Sequence, residues 1–280
     1  MLPRPGADAT APKPKGVHRL SLADINPLYS IAGVLVGILV GLTGVGGGSL
    51  MTPLLVLAFG FHPTTAVGTD LLYASATKTV GTAVHGANRT VDWGVVWRLG
   101  LGSVPATFLT LIALNYAGQK FSGTEHVITV VLGLALIATA IAMVARHRIH
   151  AYFANRDNQI EPGRVLWLTI LLGAVLGVLV SLSSVGAGAL GMTALLILYP
   201  NLPTNRLVGS DIAHAVPLTL IAGMGHWAMG SVDLHLLFSL LVGSIPGIIV
   251  GSILSARVPD HVLRTILAGT LAVVGGKLLF

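Results

Sequence analysis

The chain has 280 residues, 54% hydrophobic and 9% charged, with a formal net charge of +6 and no cysteine. A soluble domain carries about 25% charged residues, so this composition disfavours a soluble enzyme, a nucleic-acid binder and a disordered protein together, and fits a polytopic helical membrane protein with short loops. The absence of cysteine removes disulfides, thiolate metal sites and cysteine catalysis.

Residues 1–27 combine proline, charge and small residues (MLPRPGADATAPKPKG) and are expected to form a disordered cytoplasmic tail, too long and too polar for a secretory signal. Apolar stretches follow at 28–60, 66–85, 94–117, 126–146, 165–199, 204–228, 232–256 and 259–280. One crossing needs about 20 residues. The first and fifth stretches are too long for one straight helix. Each is cut by a glycine-rich break, Gly44-Val45-Gly46-Gly47-Gly48-Ser49 and Ser184-Val185-Gly186-Ala187-Gly188-Ala189. Each is expected to be a discontinuous helix or a helix plus a half-helix.

The predicted fold is an all-α polytopic membrane protein of about eight transmembrane helices in two homologous halves. The first repeat is 28–146, a basic linker is 147–164 and the second repeat is 165–280. Arg4, Lys13, Lys15 and Arg19 in the tail, and Arg146, Arg148, Arg156 and Arg164 in the linker, place both in the cytoplasm under the positive-inside rule. That requires an even number of crossings per half, the preferred reading. Re-entrant breaks would instead give odd parity, an outward linker and inverted repeats.

The halves align. GILVGLTGVGGGSL, from Gly37, lies over GVLVSLSSVGAGAL, from Gly177, at an offset of 140. One extra residue near Arg206 changes the offset to 141, which carries Gly68-Thr69-Asp70 onto Gly209-Ser210-Asp211, His85 onto His226, Asp92 onto Asp233 and Ser103-Val104-Pro105 onto Ser244-Ile245-Pro246. Agreement of Asp, His and Pro in one order is not expected by chance between apolar segments. Duplicated halves with paired glycine interruptions are the pattern of a transporter whose site lies near the bilayer midplane; duplication kept for packing alone is the competing reading.

A break frees backbone N–H groups, and the half-helix after it points its positive end back at the gap, which suits an anion. Thr43, Gly46, Gly47, Gly48 and Ser49, with Ser183, Ser184, Gly186 and Gly188, are the candidate substrate-binding residues. Lys78 is expected to face the bundle interior with a partner or an anion, because a lysine at the bilayer centre costs about 2.5–3.5 kcal/mol; its match in the second half is Thr219. Asp70, His85, Asp211 and His226 are candidates for proton coupling. The preferred reading of Asp70 and Asp211 is nevertheless capping or a loop position, and that of the two histidines an interfacial one. Asp92 and Asp233 are expected to cap the following helices. Trp93, Trp97, Trp167 and Trp227 form an expected interfacial belt. No metal-ligand spacing, no cofactor motif and no catalytic constellation is present in the sequence.

The run GLTGVGGGSLMTPLL, then FHPTTAVGTDLLY and VDW, with SLSSVGAGALGMTALLI and LPTNRLVGSDIAHAVP in the second half, resembles the TauE/SafE family of sulfite and organosulfonate exporters over about residues 28–280. The resemblance implies a multi-pass protein of the bacterial inner membrane that moves small sulfur-containing anions outward, with Gly46, Gly47, Gly48 and Ser49 and Gly186, Gly188 and Ala189 lining the anion site. The expected function is thus a secondary transporter of small oxyanions acting by alternating access, with no enzyme activity. An anion channel and a non-transporting scaffold are the alternatives. The expected partners are a small anionic substrate and the lipid bilayer, with proton coupling and a homodimer as further candidates and no nucleic acid.

Overall fold

The computed structural model describes residues 26–43, 48–120, 123–154, 161–254 and 260–280. These form α1 (Pro27–Thr43), α2 (Gly48–Leu57), α3 (Pro63–Ala87), α4 (Trp93–Lys120), α5 (Thr124–Ala154), α6 (Pro162–Ser183), α7 (Ala189–Leu198), α8 (Thr204–Ala228), α9 (Leu234–Leu254) and α10 (Asp260–Leu279). Eight are long, while α2 and α7 have 10 residues each. α1–α5 and α6–α10 repeat one order of long and short helices.

Polarity is arranged inside out. Trp97 is 70% exposed and Val273 72%, whereas Asp70, Lys78, Asp211, His214 and His226 are buried. Hydrocarbon outside the bundle is the solvent that makes this arrangement stable. Five of the helices are individually long and apolar enough to cross a bilayer: those containing Trp93–Gly118, Glu125–Arg146, Gly163–Ser183, Thr204–Ala228 and Leu234–Gly251.

Close contacts between helices fix their directions. Gly33 lies against Leu240, Gly37 against Ser244 and Ile38 against Gly251, so α1 and α9 run parallel. The repeat offsets carry this seam onto α6 and α4, where Gly173 meets Leu99 and Gly177 meets Ser103. Glycine is required at these seams because backbone meets backbone: a Cβ on Gly37 would sit 2.6 Å from the Ser244 carbonyl oxygen. The central pair, α3 and α8, is antiparallel. Gly68 meets His226, Leu72 meets Gly223, the Ser75 hydroxyl donates to the Val216 carbonyl at 3.4 Å, and Gly81 meets Ile212. α5 and α10 are antiparallel as well, with Gly133 on Leu279 and Ile137 on Gly275.

α2 runs back along α1, and α7 back along α6. Tyr29 at the start of α1 stacks edge-on against Phe59, just beyond α2, with ring centroids 5.2 Å apart. At the equivalent place Thr169 and Tyr199 share a 2.8 Å hydrogen bond between hydroxyls. α1–α2 and α6–α7 are therefore helical hairpins, and Gly191 of α7 comes back against Leu176 of α6.

Each half is a helical hairpin followed by three long helices. Equivalent helices that pack antiparallel put the pseudo-twofold axis in the membrane plane, so the repeats are inverted. This corrects the expected even parity: α1 starts on one face of the bundle, and α5 ends and α6 starts on the other. Arginine counts do not register which way the chain turns after a break, because contacts such as Tyr29–Phe59 decide it.

Short turns complete each repeat. Asp92 Oδ1 accepts from the N–H groups of Gly94 and Val95 at 3.1 and 3.2 Å, and Asp233 Oδ1 from Leu236 at 2.9 Å, the expected caps. The two turns are pinned across the axis by equivalent bonds. The Asp92 N–H donates to Ser210 Oγ at 2.8 Å and the Asp233 N–H to Thr69 Oγ1 at 3.1 Å.

Candidate functional site

The antiparallel crossing of α3 and α8 places the polar residues of the chain in its interior. Asp70 and Asp211 lie well inside these helices, so the capping or loop reading of both is corrected. Their burial follows from the period of the helix, which puts them on the faces that α3 and α8 turn toward the hairpins. Thr52 of α2 donates a hydrogen bond to Asp70 Oδ2. Gly191 of α7 lies against the Asp211 carboxylate, and a Cβ there would sit 2.5 Å from Oδ1.

The second break is the tip of the α6–α7 hairpin. Its path needs left-handed backbone, with φ of 58° at Ser184, 124° at Gly186 and 126° at Gly188. The last two values fall where a side chain is strained, the physical reason for glycine there. Ser183 Oγ donates to the Leu179 carbonyl at 2.7 Å and accepts from the Val185 N–H at 3.2 Å, so it braces the turn.

α7 begins immediately after the tip. Its Gly191 and Met192 N–H groups bond back to the Gly186 and Gly188 carbonyls. The N–H groups of residues 186–190 have no partner among the described residues. The buried Ser184 hydroxyl faces Asp70 and has no partner at full hydrogen-bond geometry among the described residues.

Lys78 reaches the same tip. Its Nζ donates to the Ala187 carbonyl at 3.4 Å. Asp211 and Asp70 are both within its electrostatic reach, and no ion pair within 4 Å joins it to either carboxylate among the described residues. The tip thus combines backbone donors without a partner among the described residues, the positive end of a 10-residue helix, a hydroxyl and an ammonium. That donor set can hold an oxyanion.

Gly46 and Gly47 lie outside the described residues. Thr43 ends α1, and Gly48 and Ser49 open α2. The flanks of the first break and the second tip border one buried cluster, which Val185 and Ala189 form with residues of α5 and α10 and against which Leu39, Leu42 and Leu50 pack.

The remaining candidates divide. His85 Nδ1 is paired with Thr90 Oγ1 at 2.8 Å in the loop after α3, as an interfacial histidine would be. His226, in the last turn of α8, is buried within the protein with Nε2 2.9 Å from the Ser181 carbonyl.

The structure adds residues that the sequence reading did not single out. His214, buried on α8, has Nε2 2.8 Å from Ser103 Oγ. The 141 offset maps this pair onto Tyr73 and Ser244, which also face each other. Applying the repeat to Tyr73 would have found His214.

Comparison with known proteins identifies relatives over nearly the whole chain. The family model described as Sulfite exporter TauE/SafE matches residues 29–278. A probable membrane transporter protein of Bacillus subtilis, YjnA, is 39% identical over 259 residues, covering 89% of this chain and 98% of that protein. A probable membrane transporter protein of Methanocaldococcus jannaschii, MJ0441, is 27% identical, covering 89% of this chain and 93% of its own. YdhB of Bacillus subtilis, of the same description, is 26% identical over 88% of this chain and 97% of its own. No solved structure matches significantly.

Proposed function

The chain belongs to the TauE/SafE sulfite exporter family and is a multi-pass membrane transporter, and on that premise we propose that it carries small sulfur-containing oxyanions, such as sulfite or organosulfonates, out of the cell across the bacterial inner membrane. The observation that carries this reading is the run of N–H groups at 186–190 that have no partner among the described residues, set beside Lys78 at the start of α7. In hydrocarbon an unsatisfied backbone donor is costly, so such a run persists where a ligand or water satisfies it. An oxyanion supplies several acceptors at once.

Ser184, Gly186, Gly188 and Lys78 bind in this reading, and Ser183 positions the turn. Thr43, Gly46, Gly47, Gly48 and Ser49 contribute the equivalent half-site from the first hairpin. The inverted repeats supply a mechanism, since exchanging the conformations of the two halves turns an inward-open site into an outward-open one. The inside-negative potential favours outward movement of whatever net negative charge crosses with the cargo, by about 2.3 kcal/mol per charge per 100 mV.

The linker face is proposed as cytoplasmic. It carries Arg89, Arg98, Arg148, Arg164, Arg206 and Arg264, against Lys120 and Lys277 on the other face, among the described residues.

Purified protein in liposomes tests the function. Saturable, competitive flux of sulfite and sulfonates is expected. Flux that rises linearly with concentration indicates the channel, and absence of both binding and flux indicates the scaffold.

A further inference from the structure

Asp70 and Asp211 are equivalent by the repeat but differ in their surroundings. Asp211 faces two cations, Lys78 of α3 and Arg146 of α5. Asp70 is held mainly by hydroxyls: Thr52 of α2 bonds Oδ2, and Ser184 of the hairpin tip faces the carboxyl group. Lys78 is the cation nearest Asp70 among the described residues, but it lies beyond 4 Å and its Nζ is given to the Ala187 carbonyl. Asp70 Oδ1 is buried and has no hydrogen-bond partner among the described residues. His214 of α8 and Tyr73 of α3 are the other titratable groups within reach of this cluster.

Ser184 connects Asp70 to the anion site. Its hydroxyl faces the Asp70 carboxyl, while the N–H groups that have no partner among the described residues begin two residues later at Gly186. An oxyanion on those groups and an ionised Asp70 would be like charges separated by one serine in a buried setting, and like charges oppose each other there. The two carboxylates are already matched by one lysine and one arginine. An incoming anion therefore adds an uncompensated charge, which a proton on Asp70 Oδ1 removes.

Resting on the anion site proposed above, we propose that Asp70 is the coupling residue. It takes up a proton from water on the side where the anion enters and releases it to water on the side where the anion leaves, so anion and proton travel together. Binding of the two is reciprocal.

The test uses the full chain in liposomes with a trapped pH dye and the membrane potential clamped by potassium and valinomycin. Methanesulfonate is the probe because it stays ionised throughout. Uptake by the unaltered protein is expected to acidify the lumen by about one proton per anion. Asp70→Asn is expected to keep methanesulfonate exchange across the membrane but to lose the acidification, and Asp70→Glu to restore it. Uptake without acidification in the unaltered protein overturns the coupling while leaving the anion site standing. Retained acidification in Asp70→Asn overturns the assignment to Asp70. Loss of exchange in Asp70→Asn also overturns it, because the carboxylate would then serve binding. Absence of any exchange in the unaltered protein overturns the anion site and this inference with it.

Discussion

Lys78 Nζ bonds the Ala187 carbonyl at 3.4 Å, tying α3 to the tip of the second hairpin. Its counterpart, Thr219, turns its hydroxyl back to the Ala215 carbonyl of its own helix at 2.8 Å. The inverted repeat is therefore symmetric in its backbone and asymmetric in charge. One tip receives a built-in cation and the equivalent position supplies none.

Removing that cation weakens anion binding. A hydrogen bond to a charged group contributes about 1.5–3 kcal/mol, so Lys78→Met is expected to raise the half-saturating anion concentration about ten- to hundredfold. Methionine keeps the packing of the stem, and the protein stays folded. The concentration dependence of exchange in liposomes measures this, and an unchanged value places the anion away from Lys78.

Close backbone approach sets the stability of the α4–α6 and α1–α9 seams. A Cβ at Gly102 would overlap the Ile170 carbonyl, and one at Gly243 the Ser30 carbonyl, whereas Gly100 has open space. Gly102→Ala and Gly243→Ala are each expected to destabilise by about 1–3 kcal/mol. Gly100→Ala, in the same helix as Gly102, is expected to be neutral or slightly stabilising. Thermal unfolding in detergent compares the three.

The hairpin topology is open to chemical labelling, because the chain has no cysteine of its own. His62, Asn88 and Glu161 are exposed in connections between helices. A single cysteine at Asn88 and one at Glu161 are expected on the same face, with one at His62 opposite. An impermeant maleimide added to intact cells is expected to label His62→Cys alone. Labelling of all three, or of Asn88→Cys and Glu161→Cys alone, contradicts the proposed orientation.

Asp92 has two roles that substitution separates. It caps α4 and meets Arg206 at 3.5 Å in a partly exposed ion pair. Such pairs contribute about 0–1 kcal/mol, while losing a cap costs about 1 kcal/mol. Arg206→Ala and Asp92→Asn are expected to change stability little, and Asp92→Ala to lower it measurably in the same unfolding assay.

Much of this architecture was legible in the residues. The offset of 140 to 141 located both breaks, both buried aspartates and both caps, because identity at Asp, Pro and Gly survives where apolar residues drift. Composition identified the bilayer as solvent. Chain direction was not legible, since it depends on Tyr29 meeting Phe59 and Thr169 meeting Tyr199, contacts that follow from no local pattern. Asp70 and Asp211 looked like caps because Gly-Thr-Asp and Gly-Ser-Asp are turn-like sequences. The helices run through them because the polar groups of the hairpins await on the inner face. Thr52 was invisible for the same reason: a threonine in an apolar half-helix acquires meaning only opposite Asp70.

The anion at the hairpin tip is the claim on which the account rests, and a density map of the protein equilibrated with selenate, a heavier oxyanion, tests it most directly. The account predicts density within hydrogen-bond distance of the N–H groups of residues 186–190 and of Lys78 Nζ. Selenate bound elsewhere in a protein that still transports it, with the 186–190 donors satisfied by the protein itself, would contradict it.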